Sequence, residues 1–187
     1  MQSRTRLANR GFTLIEVMIT VVLIGILAGL GTYGVGKYIR TSKTSEATRM
    51  IAATKAAQES YKGETFTYLD ISGAKSVAAL TSFYPRTAPD SKIHGWGDVS
   101  TTVGQRWREL GVRPDGPVYF AYGCAAGSAA DAVSGHGSSQ TVTNWPANVT
   151  APWYVVRAVG DLDGDGTRSN FVSASFTDQI IIDKEDE

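Results

Sequence analysis

The chain has 187 residues, a length that suits one globular domain with an anchor segment. Its 18 Lys and Arg residues balance its 18 Asp and Glu residues, so no overall basic charge indicates a nucleic-acid-binding protein. Cys124 is the single cysteine, which excludes an intrachain disulfide, so other contacts must hold the C-terminal end of the chain.

The N-terminal part joins a short basic stretch to a long apolar run. Three arginines precede Gly11, and residues 12–36 contain one charged residue, Glu16. A helix of about 20 apolar residues can cross a bilayer, and basic residues before such a span favour a cytoplasmic leader. A secretory signal carries its small-residue cleavage site after the apolar run, whereas Gly11 stands before it. We therefore interpret residues 1–11 as a removable leader, the alternative being an uncleaved cytoplasmic tail.

The stretch Gly11-Phe12-Thr13-Leu14-Ile15-Glu16-Val17-Met18 resembles the prepilin motif of the type IV pilin family, whose relatives include the pseudopilins of secretion systems. The resemblance implies cleavage after Gly11 by a prepilin peptidase and N-methylation of Phe12. It also implies self-assembly of the mature chain into a filament through its helices. The resemblance further implies an inner-membrane assembly platform as a partner. Separate ATPase motors are expected, because this chain has no phosphate-binding glycine loop followed by lysine.

Glu16 is the candidate assembly residue. An unpaired carboxylate in apolar surroundings is strongly disfavoured, so it needs a positive partner. The resemblance implies that the free amine of Phe12 on a neighbouring subunit supplies that charge and sets the stagger between subunits. Pairing within one chain stays open as the alternative, because residues 12 and 16 lie four apart on one helix face.

The apolar span is rich in glycine and contains no proline. Gly25 and Gly29 form a small-xxx-small pair, which lets helix backbones approach closely in an apolar medium. Pilins usually carry a helix-bending proline near this point, and this chain departs from that pattern. Two interpretations of the glycines in 29–36 stay open: local loosening of the helix in the filament, and ordinary close packing.

Residues 37–63 continue the same helix with an amphipathic pattern. Mostly apolar positions recur at spacings of three and four, which indicates a helix that lays one stripe on a globular domain. Gly63 is predicted to cap the helix at its C-terminus. The stripe contains Ala47, Met50, Ile51, Thr54, Ala57, Gln58 and Tyr61.

Residues 64–187 are predicted to form a globular domain. Turn signals dominate up to residue 116, with short helices expected at Gly104–Leu110 and around Lys75–Leu80. A small, polar surface loop is expected at 123–144. Strands are predicted at 118–122, 153–159, 170–176 and 179–182. Four aromatic residues are expected in the core: Phe83, Tyr84, Trp96 and Trp107. This order indicates an α+β, pilin-like fold with a long N-terminal helix packed on an antiparallel sheet.

A loop between two predicted strands carries a candidate metal site, made of Asp161, Asp163, Asp165 and Thr167. Three carboxylates at alternate positions repel one another unless a cation or hydrogen bonds compensate them. Their spacing matches the first positions of a calcium loop, although the final bidentate glutamate of an EF-hand is missing because Val172 stands there. A Ca²⁺ site is slightly favoured, since some pilins hold their C-terminal loop with calcium. A hairpin loop whose aspartates cap their own backbone stays open.

The chain shows no catalytic signature, because its two histidines are isolated and Ser138 lacks a nucleophile-elbow context. It is therefore predicted to be a structural subunit of a type IV pilus used for adhesion, surface motility or DNA uptake. The subunit would sit in the inner-membrane lipid with its C-terminal domain outside the cytoplasm, and then in a cell-surface pilus. A minor, priming or tip pilin and a type II secretion pseudopilin are the alternatives. Nucleic acid stays open as a partner through four scattered basic residues: Lys92, Arg106, Arg108 and Arg113.

Overall fold

The computed structural model describes residues 11–76, 82–139, 142 and 145–185. Its helices and strands are α1 (Leu14–Thr65), α2 (Thr102–Leu110), β1 (Ala121–Gly127), β2 (Trp153–Gly160), β3 (Ser169–Ala174) and β4 (Thr177–Asp183). The strands form one antiparallel sheet in the order β1-β2-β3-β4. A long helix against an antiparallel sheet confirms the predicted α+β fold. By its internal contacts, the chain divides into two units, residues 1–39 and 40–187.

The first unit contains the apolar part of α1. The large apolar side chains described between Phe12 and Ile39 are 49% to 81% exposed. The helix is long enough and apolar enough to cross a membrane. It is continuous through the glycines of residues 25–36. The loosening hypothesis concerns the filament and therefore stays a prediction.

In the second unit, α1 packs one stripe against the sheet. The predicted stripe is confirmed, because Ala57 and Tyr61 pack partly buried on the core and the other members are buried. These buried members are Ala47, Met50, Ile51, Thr54 and Gln58. The core that they join includes side chains from β1, β2 and β3, so the helix and the sheet share one apolar interior.

The C-terminal end of α1 lies two residues beyond the predicted cap. The helix passes through Gly63 and ends at Thr65, so the prediction of a glycine cap was wrong. Phe66 takes the left-handed conformation instead, with φ of 62°. Its backbone N–H donates to the Lys62 carbonyl at 2.8 Å, and the Thr65 hydroxyl donates to the Tyr61 carbonyl. The first bond satisfies a carbonyl that the helix end would otherwise leave without a partner, and the second ties the Thr65 side chain to the last turn.

Two polar side chains of α1 bind backbone groups of the globular unit. Glu46 accepts hydrogen bonds from the backbone N–H groups of Tyr119 and Phe120 and from the Tyr122 hydroxyl. Gln58 is fully buried. Its amide nitrogen donates to the Leu69 carbonyl at 2.8 Å, and its amide oxygen accepts from the Leu69 N–H at 2.9 Å. Loss of these bonds is costly, because it would leave the partly buried backbone groups of Leu69 without their partners.

Successive side chains of a strand point to opposite faces of the sheet, and along β1, β2 and β3 both faces are buried. One face lies on α1, and the other lies beneath side chains of the loop between β1 and β2 and of the β3–β4 turn. The α1 face includes Tyr122, Cys124, Tyr154, Val156 and Phe171. The opposite face includes Ala125, Trp153, Val155, Val172 and Ala174.

The position of β1 differs from the prediction. The strand was predicted at residues 118–122, followed by a surface loop, whereas β1 runs to Gly127 and is buried along most of its length. The prediction failed because the segment from Gly123 to Gly127 consists of small residues with weak β propensity. Small residues are needed here because a Cβ at position 127 would lie 2.6 Å from the indole ring of Trp153.

The other elements predicted for this unit agree better with the structure. The short helix predicted at Gly104–Leu110 is α2, and three of the four aromatic residues are buried, with Trp96 partly buried. Cys124 is fully buried, and burial raises the pKa of its thiol to about 12. The helix predicted around Lys75–Leu80 falls largely on residues 77–81, outside the described residues.

The C-terminal end is held without a disulfide. β4 pairs with β3 at the edge of the sheet. Asp183 Oδ2, at the end of β4, accepts hydrogen bonds from the Ser139 backbone N–H at 2.7 Å and from the Ser139 hydroxyl at 2.6 Å. The Ser138 hydroxyl donates to the same oxygen at 3.3 Å. This clasp between Asp183 and residues 138–139 joins the last strand to the loop after β1.

Replacement of Gln58 by leucine is expected to lower the free energy of unfolding by about 2–4 kcal/mol, because both backbone groups of Leu69 lose their partners. Chemical denaturation of the purified protein in a non-ionic detergent, followed by tryptophan fluorescence, measures the change. Ser60→Leu places the same side chain at an exposed position of α1 and is expected to change stability by less than about 0.5 kcal/mol. Equal stability of the two variants would contradict the role of Gln58.

Candidate functional site

The predicted processing site lies just before the first turn of α1. Gly11 and Phe12 are exposed and precede the helix, which begins at Leu14. The Phe12 side chain is 81% exposed. An exposed, non-helical peptide bond is the kind of backbone that a peptidase can reach. The rest of the predicted leader, residues 1–10, falls outside the described residues.

Thr13 and Glu16 form a reciprocal cap at the N-terminus of α1. The Glu16 backbone N–H donates to Thr13 Oγ1 at 3.3 Å, and the Thr13 backbone N–H donates to Glu16 Oε2 at 3.5 Å. This is the capping-box arrangement, in which a threonine is followed three residues later by a glutamate. Thr13 was not among the predicted site residues, although its Thr-x-x-Glu spacing to Glu16 is visible in the sequence.

The cap leaves the charge of Glu16 without a counterion. Among the described residues, no cation lies within ion-pair distance of its carboxylate, and its one side-chain hydrogen bond is long. The predicted pairing with Phe12 requires a free amine, which Phe12 gains only after cleavage. Large apolar side chains surround this position along the helix, including Ile15, Met18 and Ile19. Within the described part of the chain, the carboxylate therefore has one local hydrogen bond and no ion pair.

The aspartate loop between β2 and β3 brings its three carboxylates together. Asp161, Asp163 and Asp165 each offer an oxygen atom, and these atoms lie within 4.8 Å of one another. Asp161 is buried, and the other two are exposed. Gly164 and Gly166 have φ of +83° and +90°, a left-handed conformation that favours glycine. The two glycines let the loop turn tightly enough to bring the three carboxylates close together.

Backbone N–H groups of the same loop already bind these carboxylates. Asp161 accepts from Gly164 N at 2.8 Å and from Gly166 N at 3.2 Å. The Thr167 N–H donates to Asp165 Oδ1 at 2.6 Å, and this bond lowers the pKa of the Asp165 carboxyl.

A nearby cation, Arg40, partly offsets the negative charge of the loop, because its Nη1 lies 3.8 Å from Asp163 Oδ2. The hydrogen bonds of the loop suit the capping interpretation, and the converging oxygens suit a cation. The calcium site, with the Thr167 carbonyl as a further ligand, stays a prediction.

Comparisons with known proteins identify the family. Residues 6–32 match the family described as the prokaryotic N-terminal methylation motif. The type IV major alpha-pilin of Moraxella bovis is 33% identical over 113 residues, which make up 53% of this chain and 71% of that protein. The chain belongs to the type IV pilin family. As a pilin it is a structural protein and not an enzyme.

Two further relatives share shorter stretches. The type IV major pilin protein PilA of Myxococcus xanthus is 46% identical over 68 residues, which cover 36% of this chain and 31% of that protein. The fimbrial protein EcpC of Eikenella corrodens is 34% identical over 74 residues, which cover 40% of this chain and 48% of that protein. No solved structure matches the chain. Gly11, Phe12 and Glu16 all lie within the matched methylation motif.

Millimolar Ca²⁺ is expected to raise the melting temperature of the pilin, because a bound cation relieves the repulsion among the three aspartates. Differential scanning calorimetry of the detergent-solubilised protein, with Ca²⁺ or with a chelator, measures the shift. Asp163→Asn with Asp165→Asn keeps oxygen acceptors for the backbone but removes two charges, so the shift should vanish in this variant.

Asp115→Asn removes an exposed carboxylate elsewhere and is expected to leave the calcium response unchanged. A wild-type pilin with the same melting temperature in calcium and in chelator would decide for the capping interpretation.

Proposed function

We propose that this pilin is a major structural subunit of a type IV pilus. The apolar part of α1 holds it in the inner membrane before assembly and forms the contact between subunits afterwards. The observation that carries the proposal is the exposed apolar surface of residues 12–39. Burial of one large apolar side chain is worth about 1.5–3 kcal/mol. A whole helix face of such side chains therefore needs lipid or other copies of the chain around it.

Processing prepares this segment for assembly. A prepilin peptidase cuts after Gly11, which removes the basic leader, and the new N-terminus at Phe12 is methylated. The free amine then stands two residues before the start of the helix and four residues before Glu16 in the sequence. Support comes from the match of residues 6–32 to the methylation motif and from the exposed backbone at this bond.

Glu16 supplies the specific interaction in the proposed filament. Its carboxylate lacks a counterion among the described residues and lies within an apolar stretch. The Phe12 amine of a neighbouring subunit neutralises it, which favours one stagger of the helices over others. The intrachain bond to Thr13 holds the carboxylate at the start of the helix until that partner arrives.

The relatives support a major rather than a minor subunit, because two of them are named major pilins. An inner-membrane platform and separate ATPase motors drive the assembly, and the filament emerges at the cell surface. There it serves adhesion, surface motility or DNA uptake. The alternatives are a minor, priming or tip pilin and a pseudopilin, which differ in their abundance in sheared filaments.

Glu16→Gln is expected to reduce the yield of filaments on the order of tenfold or more, because loss of one partner from a buried ion pair costs about 3–5 kcal/mol. Glutamine still bonds the Thr13 N–H, so this variant keeps the capping box and removes only the charge. Thr13→Ala does the reverse and is expected to assemble. Filaments sheared from cells and quantified by immunoblot give the comparison, and normal assembly of the glutamine variant would sink the proposed ion pair.

Mass spectrometry of sheared filaments is expected to find this chain as the dominant component, beginning at a methylated Phe12. Dominance follows from the major-subunit proposal, and the mass follows from the processing proposal. A mature chain that is scarce in the filaments would assign it to the minor or priming subunits. A processed chain found only in the membrane fraction would assign it to the pseudopilins.

A further inference from the structure

A surface pocket lies beside the clasp between Asp183 and residues 138–139. Its volume is about 320 Å³, and its polar lining comes from β2, β3, the end of β4 and the loop after β1. The side chains that matter for its chemistry are Ser139, Arg157, Arg168, Asn170, Asp183 and Lys184. None of them belongs to the apolar part of α1 or to the aspartate loop between β2 and β3.

Hydrogen bonds fix the floor of this pocket. Arg157 Nε donates to Asn170 Oδ1 at 2.6 Å, and Arg157 Nη2 donates to the Gly137 carbonyl at 2.9 Å. The Asn170 amide nitrogen donates to the same carbonyl at 3.2 Å. Gly137 has φ of +62°, and a Cβ there would collide with the Arg157 guanidinium. The guanidinium is therefore held in one place by a buried asparagine and by a backbone that suits glycine.

Positive charge exceeds negative charge in the pocket. Three cations, Arg157, Arg168 and Lys184, face one carboxylate, Asp183. Burial lowers the pKa of Arg157, and the charge of Arg168 lowers it further, whereas Asp183 acts in the opposite direction. The pocket thus brings two guanidinium groups near each other.

The one carboxylate among the described lining residues, Asp183, is occupied by hydrogen bonds. The Asp183 carboxylate accepts the hydrogen bonds of Ser138 and Ser139 that form the clasp. Lys184 lies near enough to Asp165 to lower the pKa of that carboxyl, although the bond from Thr167 is the larger cause. Arg168 and Lys184 are exposed, and neither forms an ion pair within the described part of the chain. Both rim cations therefore line the pocket with their side chains open to solvent.

We propose that this pocket binds a phosphate group, with Arg157 on the floor and with Arg168 and Lys184 on the rim. A phosphate suits the site better than a carboxylate because it carries close to two charges near neutral pH and spreads its acceptors tetrahedrally. Guanidinium groups bind such oxyanions through paired hydrogen bonds. The volume exceeds that of the ion alone, so a phosphate monoester with a small attached group also fits.

The test uses the mature pilin in a maltoside detergent, which carries no charge, and in a buffer free of phosphate. Isothermal titration calorimetry with inorganic phosphate is expected to give saturable binding that weakens as sodium chloride is added. Glycerol 3-phosphate and glycerophosphocholine then separate the sources of the group. Binding of the monoester points to small phosphorylated ligands, and equal binding of the diester points to lipid headgroups.

Arg168→Gln with Lys184→Gln is expected to weaken phosphate binding by about tenfold, because two exposed charge-assisted contacts are lost. Arg108→Gln with Arg113→Gln is the matched control. These two exposed arginines line a different pocket beside Trp96, so the control removes the same charge and should leave binding unchanged. Equal weakening by both double variants, or the absence of saturable binding to the wild-type pilin, would overturn the proposal.

Discussion

The first part of α1 places a carboxylate among apolar side chains, and no single solvent suits both. Its apolar side chains are excluded from water by the hydrophobic effect, yet Glu16 keeps a carboxylate in their midst. A bilayer accepts the apolar side chains and penalises the carboxylate. A bundle of identical helices with free N-terminal amines accepts both. On this view the carboxylate makes the membrane a temporary environment and the filament the more favourable one, which gives assembly a direction.

The globular unit depends on polar side chains where a disulfide cannot form. Glu46 and Gln58 bind the helix to the segments beside β1, and Lys55 donates three hydrogen bonds, two to β3 and one to the first residue of β4. The Asp183 clasp closes the remaining edge. Each of these side chains bonds at least two groups at once, so one side chain joins segments that are far apart in the chain. This arrangement holds the end of the fold while leaving the one thiol, Cys124, buried.

The sequence predicted the elements whose patterns repeat. The stripe of α1 follows the helical period, and β2 carries the β-branched and aromatic residues of a strand. The prediction misplaced β1 because its small residues are required by the indole of Trp153. That ring lies opposite Gly127 only when β1 and β2 are paired. The clasp and the proposed phosphate pocket could not be predicted from the sequence either, since strand register and an irregular loop bring Asp183 and Ser139 together. The capping role of Thr13 could have been predicted, because Thr13 and Glu16 are only three residues apart in the sequence.

The continuity of α1 has a mechanical consequence. A filament under tension would load each subunit through residues at the start of the helix, and that load would enter the globular unit along the helix axis. There the Glu46 and Gln58 contacts and the apolar stripe lie in parallel along the helix, so they would share the force and yield together. Resistance to stretching would then depend on how slowly the unit unfolds rather than on its equilibrium stability.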